Sequence, residues 1–185
     1  HRDRAGDVAG RVVHRRARIE QHHRGRAIEL GLDGVRGGEA SVGVERGLRT
    51  LAVRMDRHNA NGLEVARWAE AQDEFAAVHY PGLPAHPEHA YAREALQGFG
   101  GMVGLQLKGG VRAAERFLKK LKMIAHAPSL AGVESLISEP RLTSHKGLTA
   151  EERTRIGIPD GFLRLSCGIE DAADIIGDLE QALGR

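Results

Sequence analysis

DGFLRLSCGIEDAADIIGDLEQALG, residues 160–184, carries two periodicities in one short run. Strand alternation over its first half puts Leu163, Leu165 and Cys167 on one face and Phe162, Arg164 and Ser166 on the other. The second half changes to helical spacing, with Ala172, Ile175, Ile176, Leu179 and Leu183 on one side and Gly184 as a stop. A strand feeding an amphipathic helix packs through the shared apolar face, so the leucine face is the expected core. The arginine then stands on the opposite face, where it is exposed, paired with a carboxylate, or set to receive an anion, because an unpaired buried guanidinium is too costly. Its planar fork matches a carboxylate bidentately, the chemistry of an amino-acid clamp. Spacing alone leaves these three readings open.

The same alternation extends upstream. VRAAERFLKKLK, 111–122, sets Val111, Ala114, Phe117, Leu118 and Leu121 on one helix face and leaves Lys119, Lys120 and Lys122 in solvent. GGMVGLQLKGG, 100–110, reads as a strand with Val103, Leu105 and Leu107 inward, and FAAVHYP, 75–81, as a short strand ended by proline. Between them a helix is expected after Pro87, taken as a first-turn residue. RGLRTLAVRMDRHNANGLEVARWAEAQ, 46–72, spaces Leu48, Leu51, Ala52, Met55, Leu63 and Ala66 as one long amphipathic helix or a broken pair. Residues 123–140 read as strand segments around a polar turn. Thr149, three residues before Glu152, opens a helix with capping-box spacing. The expected fold class is α+β, with helices packed on one face of a small, mainly antiparallel sheet, preceded by a long helix.

Residues 1–46 differ in character. They contain no Lys, Pro, Thr, Asn, Phe, Tyr or Trp, and residues 1–49 hold 11 Arg against 7 acidic residues, about +4 within a chain of net +2. The expected organisation is therefore an atypical Arg/Gly-rich arm over 1–46 and a folded domain over 47–185. A basic RNA-binding arm is the functional reading, but acidic residues are interspersed and no aromatic is present to stack a base. A weakly structured segment, or GC-rich DNA translated out of frame, accounts for the composition better, and nucleic acid is not an expected partner. His1 at the start points to a processed, partial or excerpted chain. No run approaches the roughly eighteen apolar residues of a membrane span, so no membrane is expected. Cys167 is the lone cysteine, which excludes an internal disulfide and a cysteine zinc site and suggests a reducing, cytoplasmic setting. His86 and His89 lack further ligands, and GFGGMVG, 98–104, enters a strand without the phosphate-loop spacing, so both read as structural.

Three ordered blocks carry a family resemblance: VHYPGLPAHPEHAYAREALQGFGGMVGLQLKGG at 78–110, APSLAGVESLISEP at 127–140 and EERTRIGIPDGFLRLSCGIEDAADIIGDLEQAL at 151–183. Together, over about residues 47–185, they resemble the C-terminal part of the pyridoxal-phosphate-dependent Cys/Met metabolism enzymes, the trans-sulfuration group of cystathionine γ-synthase, cystathionine lyases and methionine γ-lyase. The resemblance implies the small C-terminal domain of a fold-type I transferase. It implies pyridoxal 5'-phosphate as the cofactor of the complete enzyme, an amino-acid substrate, and a homo-oligomer, the family tetramer. It assigns Arg164 to the substrate α-carboxylate and Ser129 to a place beside the cofactor lysine and substrate; Ser144 keeps a hydroxyl where many relatives have threonine. The chain departs from the family pattern at Ala131, where glycine is usual, and at Pro128, where γ-lyases commonly carry glutamate.

The resemblance also implies an attachment lysine, an aspartate against the pyridine nitrogen, a stacked aromatic and a phosphate cup, all upstream of the matched blocks. None is recognisable in residues 1–46. The five lysines, Lys108, Lys119, Lys120, Lys122 and Lys146, stand outside that context. No catalytic or cofactor-binding residue is assigned, and the chain alone is expected to be inactive. The rival reading is a non-catalytic binding or assembly module derived from the same domain.

Overall fold

The computed structural model describes residues 38–184, and the Arg-rich segment lies outside them up to residue 37. The chain divides into two units, residues 1–50 and 51–185. In the first, helix α1, Gly38–Arg49, runs across residues 46 and 47 and carries an exposed ion pair from Arg49 to Glu45 at 2.6 Å. Such a pair contributes at most a few tenths of a kcal/mol, about 0.3–0.5.

The second unit begins with α2, Leu51–Glu70, so the helix expected over 46–72 is a broken pair. Its buried stripe is His58, Asn61, Gly62, Val65, Ala66 and Ala69. The expected stripe is corrected here: Leu51, Ala52 and Met55 are exposed, and two polar residues take places in the core face. The polar pair is tolerated because both side chains bond to backbone, as described below.

Strand β1, Phe75–His79, and helix α3, His89–Ala95, follow. Glu88 is the N-cap of α3, so Pro87 precedes the helix instead of occupying its first turn. Strand β2, Met102–Leu107, leads through Gly109, at φ 90°, into helix α4, Gly110–Leu118. That helix stops before Leu121, which packs against the core from the following loop. Strands β3, Ala125–His126, and β4, Leu136–Ser138, are joined by a loop and followed by a 3-10 turn at Pro140–Leu142. Helix α5, Ala150–Arg155, has the full capping box between Thr149 and Glu152. Strand β5, Phe162–Ser166, and helix α6, Ala172–Leu183, complete the chain, and Gly184 ends α6 at φ 96°.

The five strands lie in the order β1-β2-β5-β4-β3. All neighbours are antiparallel except β3 and β4, which are parallel. β5 is central, paired with β2 along one edge and with β4 along the other. Val103, Leu105, Leu163, Leu165 and Ile137, all fully buried, form the sheet side of the core. Residues of α2, α4 and α6 close over them, including Val65, Phe117, Ile175 and Leu179. Each such side chain contributes about 2 kcal/mol by leaving water. No helix among the described residues is long and apolar enough to cross a membrane.

Candidate functional site

With the leucine face of β5 buried under helices, its other face presents Arg164. Antiparallel register places Gly104 of β2 on one side of the arginine and Ser138 of β4 on the other. A Cβ at Gly104 would lie 2.6 Å from Phe162 Cζ and 3.1 Å from His79 Cβ. The missing side chain is what admits the Phe162 ring, whose centroid is 5.6 Å from that of His79. Arg164 is half-buried. Its Nη2 donates to the Pro128 carbonyl at 2.9 Å, and its Nε is buried without a partner. Among the described residues no carboxylate pairs with it; Glu139 is instead engaged by Arg141 at 2.8 Å. Of the three readings of a strand arginine, the paired one is therefore excluded within the described residues. A cation anchored at one nitrogen keeps donors available for an anion.

The loop between β3 and β4 is laced to the segment that begins with β5, one residue at a time. Arg164 holds Pro128, and Ser166 Oγ accepts from Ala131 N at 3.0 Å. Ile169 N donates to Val133 O at 2.8 Å. Glu170 receives both Ser135 N, at 2.6 Å, and Ser135 Oγ, at 2.9 Å, while Gly168 N donates to that same hydroxyl at 2.9 Å. The loop's path over the sheet is thus set by Arg164, Ser166, Gly168 and Glu170 in turn. From behind, α2 supports the same segment. Asn61 Nδ2 donates to the Gly168 and Glu170 carbonyls at 3.0 and 2.9 Å, and His58 Nδ1 lies 2.8 Å from the Cys167 carbonyl. Asp171 then caps α6 by accepting from Ala173 N.

Each residue singled out from the sequence can now be placed. Ser129 is exposed and follows directly on Pro128, so the loop brings it beside Arg164 through the backbone. Ser144 is also exposed, beyond the 3-10 turn that follows β4, and its Oγ is 2.9 Å from His145 Nδ1. That bond is to its sequence neighbour and not to Arg164. Ala131 adopts φ 62°, the left-handed region, which explains why glycine suits this position and alanine is strained there. Cys167 is buried, and burial pushes its thiol up to about 12, with nearby Glu170 adding to the effect. His86 Nδ1 accepts from Glu88 N, while His89 Nδ1 lies 2.8 Å from the Pro81 carbonyl. The glycines of 98–104 are sites of close approach. A Cβ at Gly101 would meet the Cys167 carbonyl at 2.9 Å, and Tyr80 donates to the Gly100 carbonyl at 2.8 Å.

Sequence reasoning missed Ser138 and Asp178. Asp178 is buried on the inner side of α6 and its carboxylate accepts the backbone N–H groups of Lys122, Met123 and Ile124 at 2.8, 2.9 and 2.8 Å. Burial opposes ionisation, but those three bonds and one from Gln181 win and hold the carboxyl below its ordinary value. The available signal was an acidic residue three positions after Ile175, on the apolar side of the helix.

The described residues do not form a pyridoxal-phosphate site. The Arg164 face carries, at its register positions, His79, Met102, Gly104, Gln106, Phe162, Ser166, Leu136 and Ser138, with neither an amine nor a carboxylate among them. Lys108, Lys119, Lys120, Lys122 and Lys146 are all exposed in loops elsewhere. Among the described residues this face offers a guanidinium with one backbone anchor and no amine beside it.

The family described as Cys/Met metabolism PLP-dependent enzyme matches residues 5–184. A cystathionine beta-lyase of Coxiella burnetii is 44% identical over 140 residues, 76% of this chain and 36% of that protein. A cystathionine gamma-synthase of Mycobacterium bovis is 45% identical over 139 residues, 75% of this chain and 35% of that protein. The crystal structure of a cystathionine gamma synthase from Xanthomonas oryzae pv. oryzae, in complex with aminoacrylate and cysteine, superposes with a TM-score of 0.72 at 43% identity, covering 75% of this chain and 36% of the other. The chain spans little more than a third of the length of these relatives.

Proposed function

The chain belongs to the family of pyridoxal-phosphate-dependent enzymes of Cys/Met metabolism, and from that premise we propose that it supplies the substrate-carboxylate half of such an enzyme's active site. The reaction class is elimination or replacement at Cγ or Cβ of cystathionine, homoserine esters or related amino acids. Pyridoxal phosphate acts as an electron sink in that chemistry, and its holding residues would lie outside the described ones. What this chain's own residues do is narrower. Arg164 binds and orients the α-carboxylate, Ser129 lines the same loop where the rest of the amino acid would pass, and Ser144 borders the site from the turn after β4. The observation that carries the reading is Arg164 itself, a half-buried guanidinium with one backbone anchor and no carboxylate partner among the described residues.

Alone the chain is inactive in this proposal, because none of its five lysines shares a face with Arg164. Exposed Leu130, Val133, Leu142 and Ile156, in the segments flanking β4 and β5, offer apolar surface to further protein, in line with a homo-oligomer. The lone buried thiol fits a cytoplasmic setting.

Three measurements test the reading. L-homoserine should bind the purified chain, its methyl ester should not, and Arg164→Gln should abolish the difference. Incubation with pyridoxal phosphate followed by borohydride should leave no site-specific lysine adduct by mass spectrometry. Release of 2-oxobutyrate or pyruvate from cystathionine by the purified chain would refute the inactive assignment.

A further inference from the structure

Among the described residues, three buried side-chain polar atoms have no partner, and two of them, Arg164 Nε and Ser138 Oγ, stand side by side. The β4–β5 register puts Ser138 directly opposite Arg164, so both point to the same face of the sheet with Cβ atoms about 5 Å apart. Ser138 is only 1% exposed. Its neighbours show how unusual this is. Ser135 Oγ, Ser166 Oγ and Thr143 Oγ1 each have a partner within 3.0 Å. Buried polar groups are nearly always hydrogen-bonded, and each exception calls for an explanation such as a catalytic role or a bound water or ion.

We propose that Ser138 is a further ligand of the substrate carboxylate, its hydroxyl and the Arg164 Nε–H donating to the same carboxylate oxygen. The chemistry is specific. Both atoms are donors, and a carboxylate oxygen has the lone pairs to accept two bonds at once. The Pro128 carbonyl already fixes the guanidinium through Nη2 and so sets the direction of Nε. Glu139, the carboxylate next to Ser138 in sequence, cannot serve, because strand alternation turns it away and Arg141 occupies it. Gly104, on the far side of the arginine, has no side chain to compete. The hydroxyl is therefore kept unbonded in the free protein at some cost in stability and is satisfied when a carboxylate arrives. This inference rests on the reading of Arg164 as the carboxylate clamp and adds a second donor to it.

The test is an NMR titration of the Arg164 Nε–H resonance with L-homoserine, and with its methyl ester as control, alongside thermal unfolding. In the wild-type chain the resonance should move with homoserine and not with the ester. Ser138→Ala should weaken that binding about tenfold, the usual effect of losing a bond to a charged group. The same variant should unfold at a higher temperature, because an unbonded buried hydroxyl is gone. Opposite signs are the discriminating result, since a merely structural serine would lower both. Unchanged affinity in Ser138→Ala, or affinity and stability falling together, overturns the assignment of Ser138 while leaving the clamp standing. Binding undiminished in Arg164→Gln, or no Nε–H shift in the wild type, overturns the clamp and with it the role of Ser138.

Discussion

Replacing Asp178 with alanine is expected to destabilise the folded unit by about 4 kcal/mol, although the residue touches no candidate site. Its carboxylate gathers the backbone N–H groups of three successive residues, Lys122, Met123 and Ile124, where the chain leaves α4 and turns toward β3. Hydrogen bonds to a charged group are worth about 1.5–3 kcal/mol each when both partners are dry, and about 1 when water can substitute. Lys122 and Met123 are exposed residues whose amides water can reach, whereas Ile124 is buried. One full loss of about 2 and two of about 1 give the figure. For a domain of this size that is about 12 °C in the unfolding midpoint. Asp178→Asn, which keeps an acceptor for one pair of donors but turns an amide NH2 toward the other pair, should cost about half as much. The pH dependence has a definite sign. The folded carboxyl titrates below its ordinary value of 3.8, so its contribution is fully present above that pH and is lost as pH falls through the lower folded value. Thermal unfolding of the wild type should therefore steepen its acid dependence below about pH 4, and Asp178→Asn should lack that component. A midpoint change under about 3 °C in Asp178→Ala, or matching acid profiles for wild type and Asp178→Asn, would refute the reasoning.

Ala131→Gly should stabilise by about 0.5–1 kcal/mol, because relief of strain at φ 62° exceeds the extra chain entropy of glycine; urea unfolding checks it, and a lower midpoint would count against the strain. Cys167, buried with its thiol pushed up to about 12, should resist iodoacetamide at pH 8 and react only on unfolding. Alkylation of the native chain at the rate of a free thiol would show that the β5–α6 connection opens.

The alternation in 162–167 and the helical spacing in 172–183 were enough to orient β5 and α6, because periods of two and 3.6 report directly which side chains share a face. The same alternation exposed Arg164 as an anomaly, and the family resemblance implies the carboxylate-binding role proposed for it. In α2 the apolar periodicity does not match the buried face. The leucine and methionine spacing near its start suggested burial, yet those residues are exposed, and His58 and Asn61 are buried because carbonyls 107 to 109 residues away accept or face their side chains.

Local pattern therefore determined the class of fold, the core face of β5 and the arginine that stands opposite it. Only the tertiary structure decided what surrounds that arginine. The Pro128 carbonyl, the glycine at 104 and the unbonded hydroxyl of Ser138 come from three separate segments, and their meeting depends on the β2-β5-β4 strand order, which no single-strand period encodes. Asp178 is the same case in the core. A helix pattern marks it as an odd acid on an apolar side, but the three amides that make it stable there belong to a turn more than fifty residues earlier. Hydrogen bonds between distant segments are set by how the layers stack, and short-range spacing carries no record of that.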